Sequence, residues 1–242
     1  MTKKRKPIEE NPLEFKGSRR KFLMYGGATA AAAGLFLTGC NDLDDLIPNQ
    51  GKGKPGGPPR PINLGRGDIG VLNYAYVLEQ LEAAFYIKVV ASPYANISQD
   101  ETVIMQDLKN HEVAHRNFLK AALGNSAIGT LTFDFSSVDF SSRESVLNTA
   151  KVFEDLGVAA YNGAGKLLES ADLLLIAGKI VSVEGRHAAA IRSILDSDPQ
   201  SFAGNDIIDA NGLDRAFEPD MVLEAASPFI VNKINANQLP KT

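Results

Sequence analysis

Six residues with metal-ligating side chains recur in a pattern that runs twice through the chain. Glu79 is followed seven residues later by Tyr86 and then by Glu112-Val-Ala-His115. Glu154 is followed seven residues later by Tyr161 and then by Glu184-Gly-Arg-His187. A Glu and a His three residues apart lie one turn apart on the same face of a helix. The order Glu, Glu-x-x-His, Glu, Glu-x-x-His is what a four-helix bundle needs to hold two metal ions. Two helices each give one carboxylate, and the other two each give a carboxylate and an imidazole. Cys40 is the only cysteine, so no thiolate ligand and no intrachain disulfide is available. Oxygen and nitrogen donors of this kind suit iron or manganese.

The spacings say which elements must carry these residues. Glu79 to Glu112 is 33 residues and Glu154 to Glu184 is 30, each enough for half a helix, a short turn and half of the next helix. The 42 residues from Glu112 to Glu154 leave room for a long crossover. The expected fold is therefore all-α, a four-helix bundle of two helical hairpins joined by that crossover. The first helix is expected from Asp68, as N-cap, to Ala91, with Ser92-Pro93 as its stop. The second runs from Ser98 to Leu123, opened by the capping box Ser98-Gln-Asp-Glu101 and closed by Gly124. The third starts near Ser142, and the fourth runs from about Ser170 to Leu195. Apolar residues recur in each at three- and four-residue steps, and each candidate ligand sits in the middle of that stripe. Thr130-Leu-Thr-Phe-Asp-Phe and Val138-Asp-Phe read as extended chain along the bundle. After Leu195 only a short helix from about Asp220 to Ala226 stands out.

A single Glu on a helix is ordinarily a solvated surface charge. Four at core positions of one bundle are not, because each unpaired buried carboxylate costs several kcal/mol. Two divalent cations would carry four positive charges against those four negative ones. The other reading is a relic bundle whose carboxylates are protonated or paired with Arg. Tyr86 and Tyr161 are placed either to donate hydrogen bonds to ligands across the bundle or simply to pack in the core. His111 points about 100° away from Glu112, which favours a surface or satisfied-core position. Gly157 and Gly185 flank ligands and serve either small-molecule access or close helix packing.

These motifs resemble those of the ferritin-like superfamily, which includes ferritins, bacterioferritins and rubrerythrins. Leu78-Glu-Gln-Leu-Glu-Ala-Ala-Phe-Tyr86 and Ala159-Ala-Tyr-Asn-Gly-Ala164 are more narrowly similar to its bacterial and plant desiccation-related branch. The resemblance covers roughly Asp68 to Leu195. It implies Glu112 and Glu184 as bridging carboxylates, Glu79 and Glu154 as terminal ones, and His115 and His187 as terminal nitrogens. Glu82, one turn beyond Glu79, could replace it or add a further oxygen. The superfamily's spacing to the tyrosine favours Glu79. The implied chemistry is that of a di-iron or di-manganese oxidoreductase acting on oxygen, peroxide or ferrous iron, as a ferroxidase, a peroxidase or a catalase. The rival expectation is a non-catalytic envelope protein of stress or desiccation response that keeps the bundle for stability. The tail has no long amphipathic fifth helix of the sort that closes a ferritin cage, so a closed cage is not expected.

The N-terminus reads as an address. Ser18-Arg-Arg-Lys-Phe-Leu23 resembles a twin-arginine export signal, and an apolar run from Met24 to Leu37 ends in Leu37-Thr-Gly-Cys40. That ending is similar to the lipobox at which bacterial lipoproteins are cleaved and lipidated on the cysteine. The expected organisation is a signal peptide over 1–39, a lipidated Cys40 and Gly/Pro linker over 40–67, the bundle over 68–196 and an irregular extension over 197–242. Asn41 to Gly67 holds five prolines and six glycines and is expected to lack fixed structure, spanning roughly 30 Å as a coil. Residues 1–39 carry eight Lys/Arg and three Asp/Glu, so the formal charge of −4 becomes −9 without them. Such a surface disfavours nucleic acid and anionic headgroups. The expected membrane partner is the bilayer reached through the lipid on Cys40, on the periplasmic or outer side of a bacterial envelope.

Overall fold

The computed structural model of the protein describes residues 60–241. The leader, Cys40 and the linker as far as residue 59 lie outside the described residues. Four long helices form the body: α1 (Gly67–Ala91), α2 (Gln99–Leu123), α3 (Arg143–Gly165) and α4 (Ala171–Leu195). At 1.5 Å per residue each is about 35 Å long. Serines open three of them. Ser98 Oγ accepts from Glu101 N–H while Glu101 Oε2 accepts from Ser98 N–H, a reciprocal capping box. Ser142 and Ser170 accept from the amides of Ser145 and Leu173. Gly124 ends α2 with φ 53°, a conformation open to glycine.

Asp68 departs from its expected role. α1 starts one residue earlier, after Arg66, without a side-chain cap. Asp68 turns outward instead and accepts from the amides of Glu169 and Ser170 at 2.7 and 3.0 Å. It thereby pins the α3–α4 turn to the start of α1.

α1 packs chiefly on α2 and α3 on α4, with α1 facing α3 and α2 facing α4 across the middle. The helices therefore form two hairpins joined by the segment 124–142, an all-α four-helix bundle. α1 is buried on nearly every side from Gly70 to Ala83, so its apolar stripe is much wider than its sequence suggested. The crossover covers its outer face. Asn73 donates to the carbonyls of Leu64 and Ser126 and accepts from Ile128 N–H. Gln80 accepts from Leu131 N–H. These two polar side chains supply partners that the buried loop backbone would otherwise lack.

The segments at either end of the bundle are more ordered than their compositions suggest. The last residues of the Gly/Pro-rich stretch were expected to have no fixed structure, yet Ile62–Asn63 (β1) pairs in parallel with Ile234–Asn235 (β2). Leu64 is fully buried, which offsets the entropy of ordering that stretch. The C-terminal tail carries α5 (Pro219–Ala226), whose Val222 and Ala226 are buried, and Phe229 packs edge-on against Phe153 with ring centroids 4.8 Å apart. Phe217 N–H donates to Ala159 O, and the tail crosses α3 so closely that a Cβ at Gly163 would stand 1.8 Å from Phe217 O. Arg192, buried on α4, holds Asp155 and Asp206 at 2.7 and 2.8 Å and so ties the tail to α3. No helix among the described residues is long and apolar enough to cross a membrane.

Candidate metal centre

The four long helices bring Glu79, Glu112, His115, Glu154, Glu184 and His187 to one depth. The four carboxylates are fully buried, His187 nearly so and His115 partly. Their ligand-type atoms fall into two groups, each within 4.8 Å: Glu79, Glu112, His115 and Glu184, then Glu112, Glu154, Glu184 and His187. His115 Nδ1 lies 3.5 Å from Glu79 Oε2, 3.8 Å from Glu112 Oε2 and 2.8 Å from Glu184 Oε1. His187 Nδ1 lies 3.4 Å from Glu154 Oε2, 2.8 Å from Glu112 Oε1 and 3.3 Å from Glu184 Oε2. Glu112 and Glu184 thus lend one oxygen to each group, while Glu79 and Glu154 each serve one.

The hydrogen bonds divide the oxygens in the same way. Tyr161 Oη donates to Glu79 Oε1, and Tyr86 Oη donates to Glu154 Oε1 at 2.6 Å. Each tyrosine crosses from its own hairpin to the carboxylate of the other. Glu79 Oε2, Glu154 Oε2, both oxygens of Glu112, both oxygens of Glu184 and the Nδ1 atoms of His115 and His187 are buried without a well-directed hydrogen bond. Several lie at hydrogen-bond distance from one another, but their donor and acceptor directions do not meet. Buried polar atoms are rarely left this way. Eight such atoms converging in two sets of four form a donor shell that suits two cations.

Without cations, protons carry the compensating charge. Burial works against charge on His115, but Glu112, Glu184 and Glu79 overcome it and push the imidazole up to about 12. His187 is driven in the same direction, again against burial, by Glu112, Glu154 and Glu184. Burial would raise Glu112, yet the two imidazoles close beside it bring it down to about 2. Burial dominates at Glu154, which rises to about 8. It also holds the Glu79 carboxyl well above the usual range.

One contact was not legible beforehand. His111 is exposed, yet its Nδ1 lies 2.9 Å from His187 Nε2 and the two rings stack nearly parallel. The available signal was its spacing to His115, since residues four apart share a helix face. Of the two first-helix candidates, Glu79 is the one in a ligand group; Glu82 is buried too, at 3% exposure, but belongs to neither group. Next to the centre, Tyr161 also lines a narrow apolar cavity with Leu72, Leu119, Ala164, Leu173 and Ile176.

No curated protein matches the chain at a significant level. The ferritin-like domain family matches residues 67–197, which spans α1 to α4 and more than half of the chain. With four helices in two hairpins and buried Glu and His groups at their centre, the chain belongs to the ferritin-like domain family.

Proposed function

We propose that the protein holds two iron or manganese ions and uses them on oxygen, peroxide or ferrous iron. The observation that carries this reading is the set of eight unsatisfied buried atoms, four to each cation. Glu79 Oε2, Glu112 Oε2, His115 Nδ1 and Glu184 Oε1 would hold one ion, and Glu154 Oε2, Glu112 Oε1, His187 Nδ1 and Glu184 Oε2 the other. Two divalent ions balance the four carboxylates in charge, which two imidazolium groups alone do not. When bound, such a pair supplies Lewis acidity and one- or two-electron redox chemistry.

The chain supplies the rest. Tyr86 and Tyr161 hold the terminal carboxylates so that each turns one oxygen inward. As a ligand through Nδ1, His187 carries its proton on Nε2 and donates it to His111 Nδ1, which sets the ring's orientation. The apolar wall beside Tyr161 suits a small uncharged molecule and excludes bulky polar ones. The close pairs His115–Glu184 and His187–Glu112, both at 2.8 Å, favour a second reading in which a proton-filled relic site stabilises a non-catalytic stress or desiccation-related bundle.

The twin arginine and the lipobox support a bacterial envelope location with the bundle tethered by lipid on Cys40. The acidic surface argues against nucleic acid as a partner. A tail helix of only eight residues argues against a closed cage.

Metal analysis after native purification, followed by titration with ferrous iron and manganese(II), tests the function. Two ions per chain are expected, with both lost in Glu112→Ala and one in Glu79→Ala. A folded wild-type protein that takes up neither metal overturns the dinuclear reading and leaves the relic bundle.

A further inference from the structure

On the outer side of the α1–α2 hairpin, where the crossover returns over it, lies an open cleft of about 330 Å³. None of its lining residues belongs to the metal centre. Gln80 and Arg116 in its wall do follow Glu79 and His115 directly in sequence. On a helix that step turns a side chain about 100° away from the ligand's face, toward the outside of the bundle.

The charge of this wall runs against that of the chain. Without residues 1–39 the formal charge is −9, yet among the described residues no Asp or Glu lines the cleft. Two cations do, Arg116 and Lys120, one turn apart on α2. Neither makes an ion pair among the described residues, and the Arg116 guanidinium donates only to the neutral Asn117 Oδ1. Elsewhere cations meet acids: Arg143 meets Glu101, Lys166 meets Glu218, and Arg192 meets Asp155 and Asp206. Further donors lie beside the pair. Gln80, 4% exposed, reaches Gly129 O only at 3.5 Å, longer than an ordinary hydrogen bond. Burial raises the Tyr76 hydroxyl and the Arg116 charge opposes that rise, which places the guanidinium near it. Leu131 and Phe133 of the crossover make the apolar part of the wall.

Solvation accounts for a lone Lys or Arg on a helix. It does not account for donors gathered in one concavity with an apolar floor and no acid. We infer that this cleft binds a small organic oxyanion, a phosphate or carboxylate group on a short apolar body. The head would meet the Arg116 fork and the Lys120 ammonium, which recognise oxyanions as a planar pair of donors and as a point charge. The body would lie on Leu131 and Phe133. A nucleic acid does not fit the same features, because two cations on an otherwise acidic surface do not hold a polyanion. No group of the cleft is a metal ligand, so the inference stands apart from the dinuclear reading.

The test is calorimetric titration of the metal-free full chain in a non-ionic detergent, with phenyl phosphate, benzoate, inorganic phosphate and benzyl alcohol as probes. Phenyl phosphate should bind as one molecule per chain and benzoate more weakly. Inorganic phosphate, without an apolar body, should bind on the order of tenfold more weakly than phenyl phosphate, and benzyl alcohol not at all. Arg116→Gln and Lys120→Gln should each weaken phenyl phosphate by on the order of tenfold, and Arg116→Lys should restore part of that loss. Lys179→Gln, which removes an exposed cation of α4, should leave binding unchanged. Circular dichroism confirms the fold of each variant. A folded wild type that takes up neither phenyl phosphate nor benzoate would overturn the site. Binding that survives Arg116→Gln combined with Lys120→Gln would overturn it too, by placing the anion elsewhere. Inorganic phosphate as tight as phenyl phosphate would overturn the organic class of the ligand.

Discussion

Raising the pH of the metal-free protein from 6.5 to 8 should destabilise it markedly. Glu154 titrates near 4.5 in an unfolded chain and near 8 in the bundle, chiefly because it is buried. The folded state holds that proton more tightly, so the resulting stability is present in full below 4.5 and disappears as the pH climbs to 8. His115, raised from 6.5 to about 12 against its burial by three carboxylates, contributes stability that is complete below 6.5 and lost as the pH rises beyond it. The two effects therefore share a sign between 6.5 and 8. Glu112, lowered to about 2, acts the other way but only below 4.5, so it is silent in this window. Each group contributes up to roughly 1.4 kcal/mol per pH unit, so these two alone remove on the order of 4 kcal/mol, and His187, shifted upward in the same way, adds to the loss. That is a large share of the 5–15 kcal/mol of about an ordinary domain. The assay is thermal unfolding by circular dichroism at pH 6.5, 7.25 and 8, with a chelator and with saturating manganese. Cations displace the protons, so the metal-bound protein should lose far less, and apparent metal affinity should rise with pH. Glu154→Gln should reduce the metal-free dependence without abolishing it, because His115 still contributes. A metal-free midpoint that is constant or rising from 6.5 to 8 would refute the charge assignment.

His111→Ala should keep two ions per chain but weaken their binding by roughly 10–100-fold, because His187 loses the partner of its outer nitrogen; equal affinity in a titration would remove that role. Gly163→Ala should destabilise the fold by on the order of 2–4 kcal/mol, since the new methyl meets the Phe217 carbonyl and must lift the tail from α3. Denaturant unfolding gives the loss, and limited proteolysis should show earlier cleavage between 204 and 218. A neutral Gly163→Ala would mean that the tail is not pressed against α3.

The bundle was legible because its signals are local and periodic. Three serine caps and a C-terminal glycine mark helix ends within a few residues, and apolar steps of three and four mark their faces. The ligand set was legible for a related reason: residues three apart on a helix must share a face, so Glu112 with His115 and Glu184 with His187 announce themselves. What escaped depends on segments distant in sequence. Nothing near Asp68 indicates that it caps the turn before α4, a hundred residues away. The Asn73 and Gln80 side chains face the crossover only because that loop returns over α1. The ordering of Ile62 and Leu64 depends on the far end of the chain. His111 eluded the reading because its partner lies on another helix, and helical geometry says nothing of what faces it.

The two hairpins exchange parts in a way that a symmetric pair of separate hairpins could also achieve. Each half holds three residues of its own ligand group and borrows a bridging carboxylate from the other, and each tyrosine crosses to the opposite half. In such a pair, however, any residue on the dyad meets an identical copy of itself. An acid there would face an acid, and a glycine would face a glycine. Glu82 on α1 stands against Gly157 on α3, where a Cβ would lie 2.9 Å from its Oε1, and that pairing needs two halves of different sequence. Carrying both halves in one polypeptide lets them differ, and so allows an off-symmetry acid at the heart of an otherwise two-fold design.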